Sequence, residues 1–201
     1  MILLLAVAAG LTAGLLRSWA VRQPYQTRDL NLVWLVFAAV LPQMVAFHLP
    51  HTAALIPDQV ASWILVLSQL GLLIFSAVNL KRPGFWLLLS GITLNLIVIT
   101  ANGGWMPIST ETVQVLHPEH PLSAWNLGGR PGHSKNILLF QDQIRFYPLA
   151  DRFPFPDWFP WPRAFSIGDA LLAAGAFILL WKPDGKSLIE IINTTEISRE
   201  N

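Results

Sequence analysis

Five mainly apolar stretches run along the chain, separated by polar segments. Leu30–Leu49, Gln59–Leu80, Phe85–Ala101 and Phe165–Trp181 match, or nearly match, the roughly 20 residues of helix (range about 17–25) that a hydrocarbon core requires. The fifth stretch, Ile2–Leu16, is shorter. Its competitor is a secretory signal, which carries positive charge before the apolar run and a small-residue cleavage site after it. Here apolar residues follow Met1 directly, and Arg17, Arg22 and Arg28 come afterwards, so the pattern predicts an uncleaved first span. The predicted fold class is therefore an all-α integral membrane protein with five transmembrane helices and one long extracytoplasmic loop between helices four and five. Residues 1–101 form a four-helix region, 102–164 the loop, 165–181 the fifth helix and 182–201 a cytoplasmic tail.

Charge sets the orientation. Arg17, Arg22 and Arg28 fall between the first and second spans, Lys81 and Arg82 between the third and fourth, and Lys182, Lys186 and Arg199 after the fifth. The connection His48–Asp58 has neither Lys nor Arg. Cationic segments stay on the cytoplasmic side, so the N-terminus is expected outside and the C-terminus inside a cell membrane. Residues 102–164 carry Arg130, Lys135, Arg145, Arg152 and Arg163, but long loops translocate largely regardless of charge.

Composition agrees: 53% of the 201 residues are hydrophobic and 12% charged, against about 25% charged in soluble domains. A net charge of +1 offers no concentrated basic face for nucleic acid. The absence of cysteine removes disulfides, thiolate nucleophiles and Cys-bound metals.

The ends of the apolar runs carry helix signals. "SIGD", Ser166–Asp169, has capping-box spacing, with Ser166 bonding the amide three residues on and Asp169 reaching back. The rival reading makes Asp169 a functional carboxylate near the membrane. Asp29 and Asp58 stand where an N-cap would satisfy the first amides of the second and third spans. Gly10/Gly14 and Ala170/Ala174 are small-x-x-x-small pairs that permit close helix contact, within the chain or in a dimer. Asn95 and Gln43 are expected to hydrogen-bond between helices. No Asp, Glu, Lys or Arg lies mid-span, whereas ion and proton pathways usually carry one.

In the long loop, Asn102-Gly103-Gly104 reads as a helix stop, Trp105 as an interfacial anchor, and Ser109 or Thr110 with Glu111 as the start of a short helix. Asn136–Tyr147 suggests a small hairpin turning at Gln141-Asp142-Gln143. The stretches "LNLIVITA", "NGGWMPIS", "GHSKNILL" and "FSIGDALLAAGAFILL" together resemble a bacterial family of small multi-pass membrane proteins classed as a domain of unknown function. That resemblance covers nearly the whole chain through an N-G-G-x-M-P turn and an F-S-x-G-D entry to the last helix. It implies an integral membrane protein and no assigned activity.

The run "RFPFPDWFPWPRAF", Arg152–Phe165, can be neither helix interior nor central strand because of its prolines. Next to the fifth span, its Phe and Trp side chains predict a collar at the lipid headgroups, with recognition by a polyproline-binding partner as the rival.

Candidate chemistry is sparse. His117, Glu119 and His120 in "HPEHP", with His133, are potential zinc ligands, but flanking prolines oppose helical ligand geometry. Asp142, Asp151 or Asp157 could pair with a histidine, yet no spacing selects one. Ser134 in "GHSKN" is not a nucleophile elbow. The sequence therefore assigns no catalytic, cofactor or metal residues, and the expected partners are the lipid bilayer and a membrane protein or second copy. The expected role is that of a non-enzymatic accessory or scaffold protein docking a partner through its outer loop. A small-molecule or lipid carrier with a hydrated cavity at Gln43, Gln69, Asn79 and Asn95 is one alternative, and a membrane enzyme using loop histidines another.

Overall fold

The computed structural model describes residues 2–22, 24–25, 29–156 and 158–181. Arg28, Asp157 and the predicted tail with Lys182, Lys186 and Arg199 lie outside the described residues. The protein is mostly helical, and seven helices occur among the described residues: α1 (Ile2–Val21), α2 (Trp34–Phe47), α3 (Pro50–Ala53), α4 (Asp58–Val78), α5 (Phe85–Ala101), α6 (Thr110–Leu116) and α7 (Ile167–Trp181). By length and composition α1 and α4 could each cross a membrane; α2, α5 and α7 are shorter apolar helices.

The five long helices pack in the order α1, α7, α5, α4, α2, so the last helix in sequence lies between the first and the fourth predicted span. Glycine dictates this order. Gly84 and Gly91 face Gly175 and Gly168, and a Cβ on Gly91 would stand 2.6 Å from the Gly168 carbonyl oxygen. Helices α5 and α7 therefore run antiparallel with their backbones in contact, as small residues allow. Gly10 and Gly14 meet Phe177 and Leu180, which sets α1 parallel to α7. The Gly10/Gly14 pair thus serves packing within the chain. Ala174, by contrast, is exposed, and the buried small residues of α7 are Gly168, Ala173, Gly175 and Ala176; the Ala170/Ala174 pair is not the contact.

At one end of the bundle Asn79 exchanges hydrogen bonds with the backbone of Asn31, both 2.9 Å, and Phe75 meets Phe85 edge to face around a core that includes Leu88 and Ala176. At the opposite end Ala61, Leu65, Val98 and Ile99 enclose Trp105 and Met106. Ser68 Oγ ties α4 to the Ala39 carbonyl of α2 at 2.9 Å. Gln43 makes no hydrogen bond among the described residues, so the interhelical role expected of it falls to Ser68 and Asn95.

Residues 102–164 fold into a cap over this second end. Strand β1 (Met106–Ser109) pairs in parallel with β2 (Asn136–Leu139), Met106 opposite Asn136. The expected hairpin within Asn136–Tyr147 is absent: Gln141–Gln143 is a 3₁₀ turn, since Gln141-Asp142-Gln143 lacks the glycine or asparagine of a tight hairpin turn, and β2 finds its partner in β1. Ile108, Val113 and Leu138 form a small core of their own with Leu116, Trp125 and Ala164 against it. Ser109 caps α6 by accepting the Thr112 amide at 3.2 Å, as its sequence indicates.

The aromatic run is a closed loop. Strands β3 (Phe153–Pro154) and β4 (Ala164–Phe165) pair antiparallel, and Phe155 stacks on Phe159 with ring centroids 4.6 Å apart.

Candidate functional site

The asparagine-glycine turn after α5 places the cap. Gly104 has φ +86°, and a Cβ there would collide with Ser62 of α4, so a left-handed glycine lets the chain turn tightly across the helix end. The next residue, Trp105, is buried at 8% exposure rather than anchored at an interface. It meets Phe47 edge to face and carries the Arg130 guanidinium at 4.6 Å from its ring. Arg130 also reaches Asp58 Oδ1 at 2.7 Å. Asp58 is therefore an ion-pair partner in the first turn of α4, not an N-cap; Pro57 occupies that position. Asp29 is no cap either, because α2 starts only at Trp34 after a turn.

Directly beneath the cap lies a polar cluster, buried at Asn95, Asp151 and Ser166 and partly open at Lys135, whose side chain is 37% exposed. Asn95 Nδ2 donates to Asp169 Oδ1 (2.9 Å), Ser166 Oγ donates to Asn95 Oδ1 (3.0 Å), and the Asp169 amide donates to Ser166 Oγ (3.0 Å). This closed triangle corrects the capping-box expectation: Ser166 caps α7, but the Asp169 carboxylate turns to α5 and the cap. On the cap side Lys135 Nζ lies 3.5 Å from Asp151 Oδ2 and 3.7 Å from Asp169 Oδ2. Asn136 Nδ2 donates to Asp151 Oδ2 at 2.8 Å, and the Asp151 amide donates to the Pro107 carbonyl at 3.2 Å. Asp151 is 2% exposed, and its Oδ1 has no hydrogen-bond partner among the described residues.

Burial pushes the Asp151 carboxyl up from 3.8 to about 6, with Asp169 adding to the rise and Lys135 opposing it. Burial acts to lower the Lys135 ammonium, but the two carboxylates overcome it and hold Lys135 above its ordinary value. The cluster joins segments remote in sequence: Asn95 before the glycine turn, Pro107 after it, Lys135 in "GHSKN", and Ser166 and Asp169 in "FSIGD". These are the same stretches that carried the family resemblance.

The chain belongs to DUF5317, a family of unknown function. The match spans residues 27–181, which takes in the whole cluster and leaves α1 outside. No curated protein and no solved structure matches the chain.

The other candidates remain apart from this cluster. Glu119 Oε1 sits 3.2 Å from His117 Nδ1 and 3.7 Å from His120 Nε2, with both imidazoles near the Trp125 ring. The Glu119 carboxyl is held below its usual range, first by its own backbone amide and then by the histidines. Nothing is described of the His133 side chain. Asp142 is exposed in the 3₁₀ turn, and Ser134 Oγ accepts the Asn136 amide at 3.2 Å. Among the described residues no group of three His, Cys, Asp or Glu side chains could hold a metal ion. Asn79 and Asn95 engage separate partners, Asn31 and α7. Sequence reasoning missed Lys135 and Asp151 as a pair. The available signal was a lysine followed directly by the apolar strand β2, which predicts a nearby counter-charge without locating it.

Proposed function

We propose that this chain is a five-span integral membrane protein of the cell membrane, N-terminus outside and C-terminus cytoplasmic, and that its cap is a non-enzymatic docking platform for a membrane-protein partner. The observation that carries the membrane reading is the distribution of tryptophan. Of nine tryptophans, seven are exposed: Trp19, Trp34, Trp86 and Trp181 at one end of the bundle, and Trp63, Trp158 and Trp161 toward the cap. Two such belts suit the two headgroup layers, where amphipathic indoles are favoured. The exposed large side chains between them include Leu11, Phe37, Leu41, Met44, Leu67 and Leu70.

Helix direction supports the same reading. The antiparallel contacts of α2 with α4, α4 with α5 and α5 with α7 carry the chain from end to end in alternation, and α1 runs parallel to α7. Helices α2 and α7 have 14 and 15 residues, about 21–23 Å at 1.5 Å per residue, short of a hydrocarbon core of about 30 Å. The turn before α2 and the aromatic loop before α7 extend them. The docking reading rests on a cap that has its own core and is pinned by Arg130 and Lys135, since a partner surface on a rigid support loses little ordering entropy on binding.

Because the chain lacks cysteine, introduced cysteines report singly. In intact cells Ser123→Cys should react with an impermeant maleimide and Lys81→Cys only after permeabilisation; reaction of both from outside refutes the orientation. Gentle detergent extraction should recover a stoichiometric partner that is lost on substitution of exposed cap residues between His117 and Leu127. Recovery of lipid alone would favour the carrier reading.

A further inference from the structure

We propose that Asp151 is a proton-binding site, and that the proton it takes up tightens the hold of the cap on the helix bundle. The inference is independent of the docking role. It starts from charge: one ammonium, Lys135, faces two carboxylates, Asp151 from the cap and Asp169 from α7. With both acids ionised the cluster keeps a net negative charge, and Asp151, at 2% exposed, holds its share of it out of water, a costly state.

Among the described residues nothing else facing Asp151 offsets that charge. Helix α5 contributes Asn95, which is neutral and already bonded to Asp169 and Ser166. Strand β1 offers only the Pro107 carbonyl to the Asp151 amide, and β2 the Asn136 amide to Oδ2. The adjacent Arg152 lays its guanidinium over the rings of Tyr147 and Phe153. Glu111 on α6 is exposed. Among the described residues Asp151 Oδ1 therefore has no donor. A proton taken from solvent onto this carboxylate makes the cluster neutral, gives up the ion pair of Asp151 with Lys135, and leaves Lys135 paired with Asp169.

The direction with pH follows from linkage. The carboxyl lies higher in the folded protein, about 6, than its ordinary 3.8, so the folded state binds the proton more tightly. Asp151 then favours the closed cap at acidic pH, and that contribution is lost as pH rises through the folded value. Between about pH 8 and about pH 5 the closed-to-open ratio should rise on the order of tenfold.

Hydrogen exchange of the β1 and β2 amides in detergent-purified full-length protein tests this, after correction for intrinsic exchange. The wild type should gain about tenfold protection over that range, while Asp151→Asn should stay protected and show no such gain. An equal gain in Asp151→Asn, or loosening of the wild-type cap on acidification, overturns the proposal. Should the variant fail to fold, isotope-edited infrared spectroscopy of wild type with 13C-aspartate reads the site directly. A protonated aspartate carbonyl titrating near pH 6 supports the proposal, and none above pH 5 refutes it.

Discussion

Replacing Gly91 by alanine tests the backbone contact that organises the bundle. The added Cβ would stand 2.6 Å from the Gly168 carbonyl oxygen and 3.0 Å from the Leu172 amide nitrogen. A comfortable carbon-to-oxygen contact is about 3.3 Å, so α5 and α7 must part by about 0.7 Å, and both obstacles are backbone that cannot rotate away. Overpacking of this kind costs about 1–3 kcal/mol. With unyielding backbone on both sides the cost lies in the upper part of that range, about 2–3 kcal/mol, of which alanine recovers about 1 kcal/mol as helix propensity, leaving a net loss of about 1–2 kcal/mol. Gly71 on α4 is the matched control, because a Cβ there meets nothing within 4 Å. Gly71→Ala should keep the propensity gain without the clash. Thermal unfolding in one detergent should show Gly91→Ala melting several degrees below wild type, at about 2–4 °C per kcal/mol, with Gly71→Ala at or above it. Equal stability of Gly91→Ala and wild type would refute direct backbone contact between α5 and α7, and with it the position of α7 between α1 and α5.

Two further substitutions probe the cap. Ser166→Ala removes the α7 cap and the hydroxyl bonded to Asn95 and should lower stability by about 1–2 kcal/mol; an unchanged melting temperature would show the triangle to be dispensable. Arg130→Met should lower stability by about 2 kcal/mol and raise protease cleavage of residues 102–164. Most of that loss is stacking on Trp105 and Phe47, since the Asp58 carboxylate is 73% exposed and such a pair contributes little. Wild-type resistance to proteolysis in Arg130→Met would contradict the pinning role.

The five long helices were legible in the sequence because a run of apolar residues of sufficient length has few alternatives to helix. Phe85–Ala101 matches its predicted bounds, and the second predicted span is helical only over Trp34–Phe47 because its first residues form a turn. The glycine stop after α5 and the Ser109 cap were legible for a similar reason: each depends on residues within one turn of itself. Trp105 was misplaced because its sequence neighbours suggest a helix end at an interface, while Phe47 and Arg130, which bury it, come from distant segments. The apparent hairpin at Asn136–Tyr147 failed likewise, since the edge that β2 pairs with lies thirty residues earlier, at Met106.

Tertiary structure alone decided which helices touch and which charges meet. Glycines at Gly84, Gly91, Gly168 and Gly175 are visible in the sequence, but their pairing requires two antiparallel helices in one register. Asp169 looked like half of a local capping box until α5 supplied Asn95 and the cap supplied Lys135. Asp151, with no periodic or motif signal around it, is pushed up by burial first and by the neighbouring Asp169 second. Local pattern determined the helices because backbone hydrogen bonds and apolar length act within a segment. Charge and packing determined the cluster because they act across space, between residues that the chain itself keeps apart.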